Sequence, residues 1–290
     1  MQRRCQVWAI LNVTPDSFSD GGKYLSAAAA IARAKELLDE GADVLDVGGA
    51  SSRPPGKAYG AGAPHVDANE ELRRVMPVIE PIVRELGATV SIDTTRPEVA
   101  REALRAGARI VNDVSTGSSA ELLEVVAEAH AELVLMHNRG DGSMNAENAS
   151  YQSVIDDVAR ELTAAAARAI SVGVAAHAIW LDPGVGFAKT AADSLAVMAG
   201  IPQLLGTGYR ILVGPSRKSF IAAVEAKANI VPQSLPLERS GGTAAAVAWS
   251  VACGAHAVRV HDVREARQTI LVSEALLNAH TARPVKEHQA

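Results

Sequence analysis

Short apolar runs recur eight times along the chain, at 7–13, 44–49, 89–94, 110–115, 133–137, 178–182, 211–214 and 257–261. Runs of this length bounded by turn residues predict strands covered on both faces. Between them, apolar positions three and four apart predict helices over 26–40, 69–86, 97–106, 120–129, 151–172, 191–204, 243–253 and 263–279. Gly41, Gly87, Gly107 and Gly254 stand just ahead of strands, where a helix ends on a left-handed residue. Thr95-Arg96-Pro97-Glu98 reads as a capping box with proline in the first turn. Strand and helix alternating in this way predict an α/β fold, a single-domain (β/α)8 TIM barrel over 1–280 with a polar tail at 281–290. A doubly wound open sheet is the alternative, but the first strand lacks the glycine-rich dinucleotide fingerprint. The irregular stretch 53–64 reads as a loop over a site, and 227–240 as a second loop with two prolines.

Composition narrows the class. A chain of 290 residues, 48% hydrophobic, suits one large barrel core. A net charge of −5 argues against general nucleic-acid affinity. No run approaches the ~20 apolar residues of a membrane span. The basic-then-apolar start is too short for a signal peptide and lacks a cleavage site. A cytoplasmic protein without membrane contact is therefore expected. Its two cysteines, Cys5 and Cys253, form neither a metal-ligand spacing nor a disulfide framework.

In a barrel the site forms where strands end. Those exits carry Asn12, Ser51-Ser52-Arg53, Asp93, Asn112-Asp113, Met136-His137-Asn138-Arg139, Asp182, Ser216-Arg217-Lys218-Ser219 and Arg259-Val260-His261-Asp262. One such Asp is as readily a helix N-cap, whereas polar residues at every exit converge on one mouth. Asp93, Asn112 and Asp182 offer acceptors or an amide to a donor-rich, guanidine-like ring edge. Lys218, Arg259 and His261 come from strands 7 and 8 and point to a phosphorylated anion, a salt bridge to a nearby Asp being the alternative for Arg259. The three phenylalanines, Phe18, Phe187 and Phe220, all follow strand ends, suggesting cover for a planar ligand. Phe220 has the option of packing beneath its own helix. Lys189, ahead of the candidate N-cap Thr190, reads as a solvated loop charge.

No nucleophile with an adjacent base is apparent, and His261 is the one site candidate titrating near neutrality, while His137 has an equal claim to a structural role. Chemistry then rests on positioning and on stabilising an anionic leaving group. Mg²⁺ bridging leaving-group phosphates with few protein ligands fits this picture.

The chain resembles the dihydropteroate synthase family, of the pterin-binding barrel superfamily, over essentially its whole length. The matching motifs are LNVTPDSFSDGG at 11–22, DVGGASSRP at 46–54, SIDT at 91–94 and NDVS at 112–115. LMH at 135–137, LDPGVGFAKT at 181–190, GPSRKSF at 214–220 and VRVHDV at 258–263 complete the set. The resemblance implies condensation of 7,8-dihydropterin-6-ylmethyl diphosphate with 4-aminobenzoate, in which diphosphate leaves first and the arylamine attacks a pterin cation. It implies catalytic roles for Asp93, Asp182, Lys218, Arg259 and His261, and pterin contacts from Asn112, Met136 and Gly214. Asn12, Arg259 and His261 would bind the diphosphate, with Asn12 also meeting Mg²⁺. Ser52, Arg53, Pro54, Phe18, Phe187, Lys218 and Ser219 would serve the aminobenzoate side. A homodimer through helices that include 243–253 is also implied. Ala50, Ser52 and Ser194 replace the family's usual Glu, Thr and Asn, and the second loop is longer; these changes bear on the aminobenzoate side, where sulfonamide mimics also bind. A methyltetrahydrofolate-dependent methyltransferase with a corrinoid partner and a silent pterin binder are the alternatives.

Overall fold

A computed structural model describes residues 4–14, 23–50, 66–139 and 150–281. The strands are β1 (Gln6–Asn12), β2 (Val44–Gly48), β3 (Val90–Asp93), β4 (Ile110–Asp113), β5 (Glu132–Met136), β6 (Ile179–Asp182), β7 (Arg210–Val213) and β8 (Ala257–Val260). They pair in parallel in sequence order, and β1 closes on β8 through Gln6↔Ala257 and Val7↔Val258. The helices are α1 (Lys23–Asp39), α2 (Ala68–Leu86), α3 (Pro97–Arg105), α4 (Ala120–Glu128) and α5 (Val154–Ser171). After these come α6 (Ala191–Ala199), α7 (Ile201–Leu205), α8 (Ser219–Lys227), α9 (Ser240–Ala252) and α10 (Val263–Thr281). The expected barrel is the one observed. The four glycine stops all hold positive φ.

Strand parity explains both the core and the site. Successive side chains alternate between the two faces of a strand. Outward positions such as Val7, Ala9, Leu45, Val47, Val90, Ile92, Leu133, Leu135, Ile211 and Val213 join the large core shared with the helices. Inward positions at the lower level, Trp8, Val44, Ile110, Val134, Trp180, Leu212 and Ala257, form a separate buried cluster. Trp8 and Trp180 meet edge to face at 5.2 Å between centroids, which closes the barrel floor. Two residues further along each of those strands lie Ile10, Asp46, Asn112, Met136, Asp182, Gly214 and Arg259. The interior thus turns from apolar to polar one layer above the tryptophans. A strand with an apolar outer face and an apolar floor reads as an unbroken hydrophobic run until that layer is reached.

Three local expectations are corrected. The predicted helix at 191–204 is two helices broken at Gly200, because Pro202 lacks the N–H that would reach the Met198 carbonyl. Trp249 Nε1 takes up that carbonyl instead, at 2.9 Å. The Thr95 capping box does not form: Arg96 is the N-cap of α3 without a side-chain cap bond, and Thr94 Oγ1 accepts from its N–H. The reciprocal box occurs on α6, between Thr190 and Asp193. Finally, α8 is missing from the predicted helix spans, although the sequence allows Phe220 a helix of its own: Phe220 and Ile221 are its only buried residues and its apolar face is too narrow to show periodicity.

Candidate active site

One cavity of about 680 Å³ opens at the C-terminal ends of the strands. Its wall carries Asn12, Asp93, Asn112, Met136, Asp182, Phe187, Gly214, Lys218, Arg259 and His261 together, so the carboxylates and the cations share one opening. Ser219 is exposed at the start of α8 and is not among the residues lining the cavity. Phe220 packs in the core between barrel and helices, so it does not cover a ligand. Phe18, Ser52, Arg53 and Pro54 lie outside the described residues.

Parity separates neighbours that look alike in sequence. Asn112 points inward, whereas Asp113 is buried on the outer side. There it accepts from Ser115 N–H and Oγ and from Gly117 N–H, and so shapes the β4–α4 turn. Asp46, in the middle of β2, is a site residue that reading strand exits alone misses. It is fully buried and takes Arg259 Nε at 2.5 Å, while Arg259 Nη2 reaches Asp93 Oδ2 at 2.6 Å. The salt-bridge alternative for Arg259 is therefore realised, twice over, in a residue that still lines the cavity. Burial of its charge works against the guanidinium, but the two carboxylates outweigh it and hold the group firmly protonated.

Hydrogen-bond logic fixes the polarity of the wall. Because the Asp46 carboxylate only accepts, Asn112 must turn its Nδ2 toward it, at 3.2 Å, which leaves its amide oxygen as an acceptor. Asp182 spends Oδ1 on the Gly184 N–H at 2.7 Å. Burial raises its pKa, and the Gly184 N–H and Lys218 oppose that rise. Burial likewise pushes Asp93 up to about 7 against the pull of Arg259, with Asp46 adding to the rise. Lys218 is pushed down to about 8, first by burial and then by Arg259. Its ammonium stands 4.0 Å from the centroid of the Phe187 ring.

His261 does not supply the positive charge expected of it. Burial, with Arg217 and Arg259 nearby, pushes it down to about 3. Ser216 Oγ accepts the His261 backbone N–H at 3.2 Å and lies 2.9 Å from Nδ1; where its O–H donates to Nδ1, the ring proton sits on Nε2. His261 is thus a neutral donor. Lys189 departs further from expectation: it is 5% exposed, not a solvated loop charge. Leu235, Pro236, Leu237 and Glu238 complete the rim from the loop between α8 and α9. Their only sequence signal was the proline-bearing stretch 227–240.

The β6–α6 turn is shaped by backbone geometry. Gly184 has φ +64°, and a β-carbon there would sit 1.9 Å from the His137 carbonyl oxygen. Any other residue would push the turn off the end of β5.

Among the described residues no group of three His, Cys, Asp or Glu side chains is arranged for a metal. Asn12 offers a single amide oxygen on the cavity wall. That donor set fits Mg²⁺ held mainly by waters and ligand phosphates, not a protein cage.

One pH effect follows from Lys218. Because its pKa is lowered, its charge is lost as pH rises through about 8. Affinity for an anionic ligand of this cavity should therefore weaken between pH 7 and 9, and Lys218→Met should flatten that dependence. Calorimetric titration across the range checks it; an unchanged slope in the variant refutes the assignment.

Comparison with known proteins places this geometry. A model described as pterin binding enzyme matches residues 8–261. A dihydropteroate synthase of Synechocystis sp. is 43% identical over 275 residues, covering 94% of this chain and 91% of the relative. That of Bacillus subtilis is 42% identical over 273 residues, covering 94% and 88%. Among solved structures, a Clostridium difficile dihydropteroate synthase in the presence of pteroic acid superposes with a TM-score of 0.85. It is 37% identical and covers 95% of this chain and 97% of its own. The Xanthomonas albilineans enzyme with 4-aminobenzoic acid gives 0.84 at 38% identity, covering 97% and 94%.

Proposed function

The chain belongs to the pterin binding enzymes, and from that premise we propose that it is a transferase acting as a dihydropteroate synthase. It condenses 7,8-dihydropterin-6-ylmethyl diphosphate with 4-aminobenzoate, yielding 7,8-dihydropteroate and pyrophosphate in folate biosynthesis. The observation that carries this reading is the facing of acceptors and donors across one cavity. Asp182, Asp93 and the Asn112 amide oxygen present acceptors suited to the N–H-rich edge of a pterin. Lys218, Arg259 and the Nε2–H of His261 present donors to carbonyl and diphosphate oxygens.

The division of labour follows. Positioned donors stabilise the departing diphosphate, and the acceptors hold the pterin while its methylene carbon becomes electron-poor. The neutral amine of 4-aminobenzoate attacks that carbon along the Phe187 side of the cavity. No side chain has to ionise a nucleophile, in keeping with a neutral His261. Asn12 would hold Mg²⁺, which when bound supplies charge neutralisation on the diphosphate.

Purified protein given both substrates and Mg²⁺ is expected to release pyrophosphate in step with pteroate formation. Folded protein that binds pterin yet releases none would leave the two alternatives, the silent binder and the methyltransferase. A methyltetrahydrofolate-dependent methyltransferase has no use for the donor group, so pyrophosphate binding separates that alternative.

The same reading includes a homodimer and a cytoplasmic setting. Trp249 on α9 and Leu271, Val272 and Leu276 on α10 are each at least half exposed, on two helices packed side by side. These exposed apolar side chains support a subunit contact, and a solution mass of one chain would exclude it. Cys5 and Cys253 are free thiols, in keeping with a reducing compartment. Among the described residues no helix is long and apolar enough to cross a membrane.

A further inference from the structure

A buried lysine behind the cavity wall has no place in the reaction just described. Lys189 Nζ donates to the Phe187 carbonyl at 3.1 Å and to His137 Nδ1 at 2.9 Å, and lies 3.5 Å from the His137 carbonyl. Three acceptors match its three N–H bonds. No Asp or Glu lies within ion-pair distance of it among the described residues, which is unusual for a buried ammonium. Its charge is instead passed on through the imidazole. With Nδ1 accepting, His137 carries its proton on Nε2 and donates to Glu161 Oε2 on α5 at 3.0 Å. Arg139 clasps both oxygens of that carboxylate.

The chain of bonds ends on the segment that lines the cavity. Phe187 N–H closes a turn on the Gly184 carbonyl at 3.0 Å. Gly186 N–H is held by Ser194 Oγ at 3.2 Å, and Tyr151 Oη donates to the Ala188 carbonyl at 2.9 Å. Ala188 has φ +45°, a conformation that a residue with a β-carbon adopts only when its surroundings impose it. The Phe187 ring, on the other side of this turn, meets Lys218.

We infer that Lys189 is a positioning residue for the arylamine acceptor: from inside the barrel wall it fixes the Gly184–Phe187 turn, and so the ring against which 4-aminobenzoate lies. This rests on the function proposed above. Asp182, two residues before the turn and carried on β6, should feel it far less. The groups facing Lys189 are His137 and Arg139 beyond β5, Tyr151 and Glu161 on the α5 side, Asp182 from β6 and Lys218 from β7. Burial dominates among them and pushes Lys189 down to about 7, so one of its three N–H donors is lost near neutrality.

Steady-state kinetics of Lys189→Met test this. The KM for 4-aminobenzoate is expected to rise about tenfold while that for the pterin diphosphate stays within about twofold. In the wild type the aminobenzoate KM should climb from pH 6 to 8, and in Lys189→Met the part of that climb between pH 6 and 7, where Lys218 keeps its charge, should flatten. A parallel change in both KM values, no change in either, or an unchanged slope between pH 6 and 7 overturns the inference. Should Lys189→Met fail to fold, Lys189→Gln takes its place, a polar side chain without the ammonium and its three N–H donors. It must then show the same split between substrates, and a parallel shift overturns the inference. A wild type that releases no pyrophosphate defeats the function itself; an active wild type with an unaltered Lys189→Met defeats only the role of Lys189.

Discussion

Arg259→Ala is expected to lose diphosphate recognition and to destabilise the fold more at pH 8 than at pH 6. The guanidinium is the shared partner of Asp46 and Asp93, 213 and 166 residues away in sequence. Removing one member of a buried ion pair leaves an uncompensated charge, at a cost of roughly 3–5 kcal/mol. The low end applies here, about 3 kcal/mol, because the Arg259 side chain keeps 20% of its exposure. Asp93 already titrates near 7 through burial, and loss of the positive neighbour raises it further. A carboxylate whose folded pKa exceeds its unfolded value gives stability at low pH and loses it as pH climbs through the folded value. The penalty of the substitution therefore grows with pH, which denaturant melts at pH 6 and 8 will read. In binding, affinity for the pterin diphosphate should fall about 100-fold, with unphosphorylated pterin much less affected. Equal affinity of wild type and variant for the diphosphate would refute the assignment.

The contrast between Arg259 and Asp46 shows what the sequence discloses and what it withholds. Strands were legible because each is apolar on its outer face and at its floor, so the runs are continuous and end together at one level. Asn12, Asp93, Asn112, Asp182 and His261 stand at those ends and were visible for that reason. Asp46 was not, because it lies inside a run, and only its parity with Asn112 across the barrel reveals it as inward. Its pairing with Arg259 links β2 to β8, a contact between the two ends of the chain that no local pattern encodes. The charge state of His261 is hidden in the sequence for a related reason. A histidine among cations in sequence looks like a third cation, whereas burial beside Arg217 and Arg259 makes protonation the expensive state. The burial of Lys189 is hidden in the same way, because a loop lysine is ordinarily solvated. Here the acceptors that let it be buried come from the loops that follow two different strands. In each case the missing information was which groups would meet in space, not which residue types were present.

Asp182→Asn should separate recognition from architecture more cleanly than Asp182→Ala. In the wild type Oδ1 holds the Gly184 N–H, and the Asp182 carbonyl accepts from the His137 N–H at 2.8 Å. An asparagine keeps both bonds if its amide oxygen faces Gly184, so the turn and the Phe187 ring remain in place. The other side-chain atom, however, becomes an NH₂ group turned toward the cavity. Against a pterin edge made of N–H donors this replaces a charge-assisted bond by donor facing donor. Such an exchange costs on the order of 3 kcal/mol, or about 100-fold in pterin affinity. The thermal midpoint should hold or rise, since a buried charge has been removed. Asp182→Ala would instead lower both affinity and midpoint by releasing the turn. A second consequence is independent of binding strength. Asp182 is one of the carboxylates that hold Lys218 up toward its ordinary range. Without it, burial and Arg259 act less opposed, so the alkaline limb of ligand binding should move below pH 8. Pterin affinity in Asp182→Asn equal to wild type, with the limb unmoved, would remove this carboxylate from the site and with it the acceptor side of the proposed reaction.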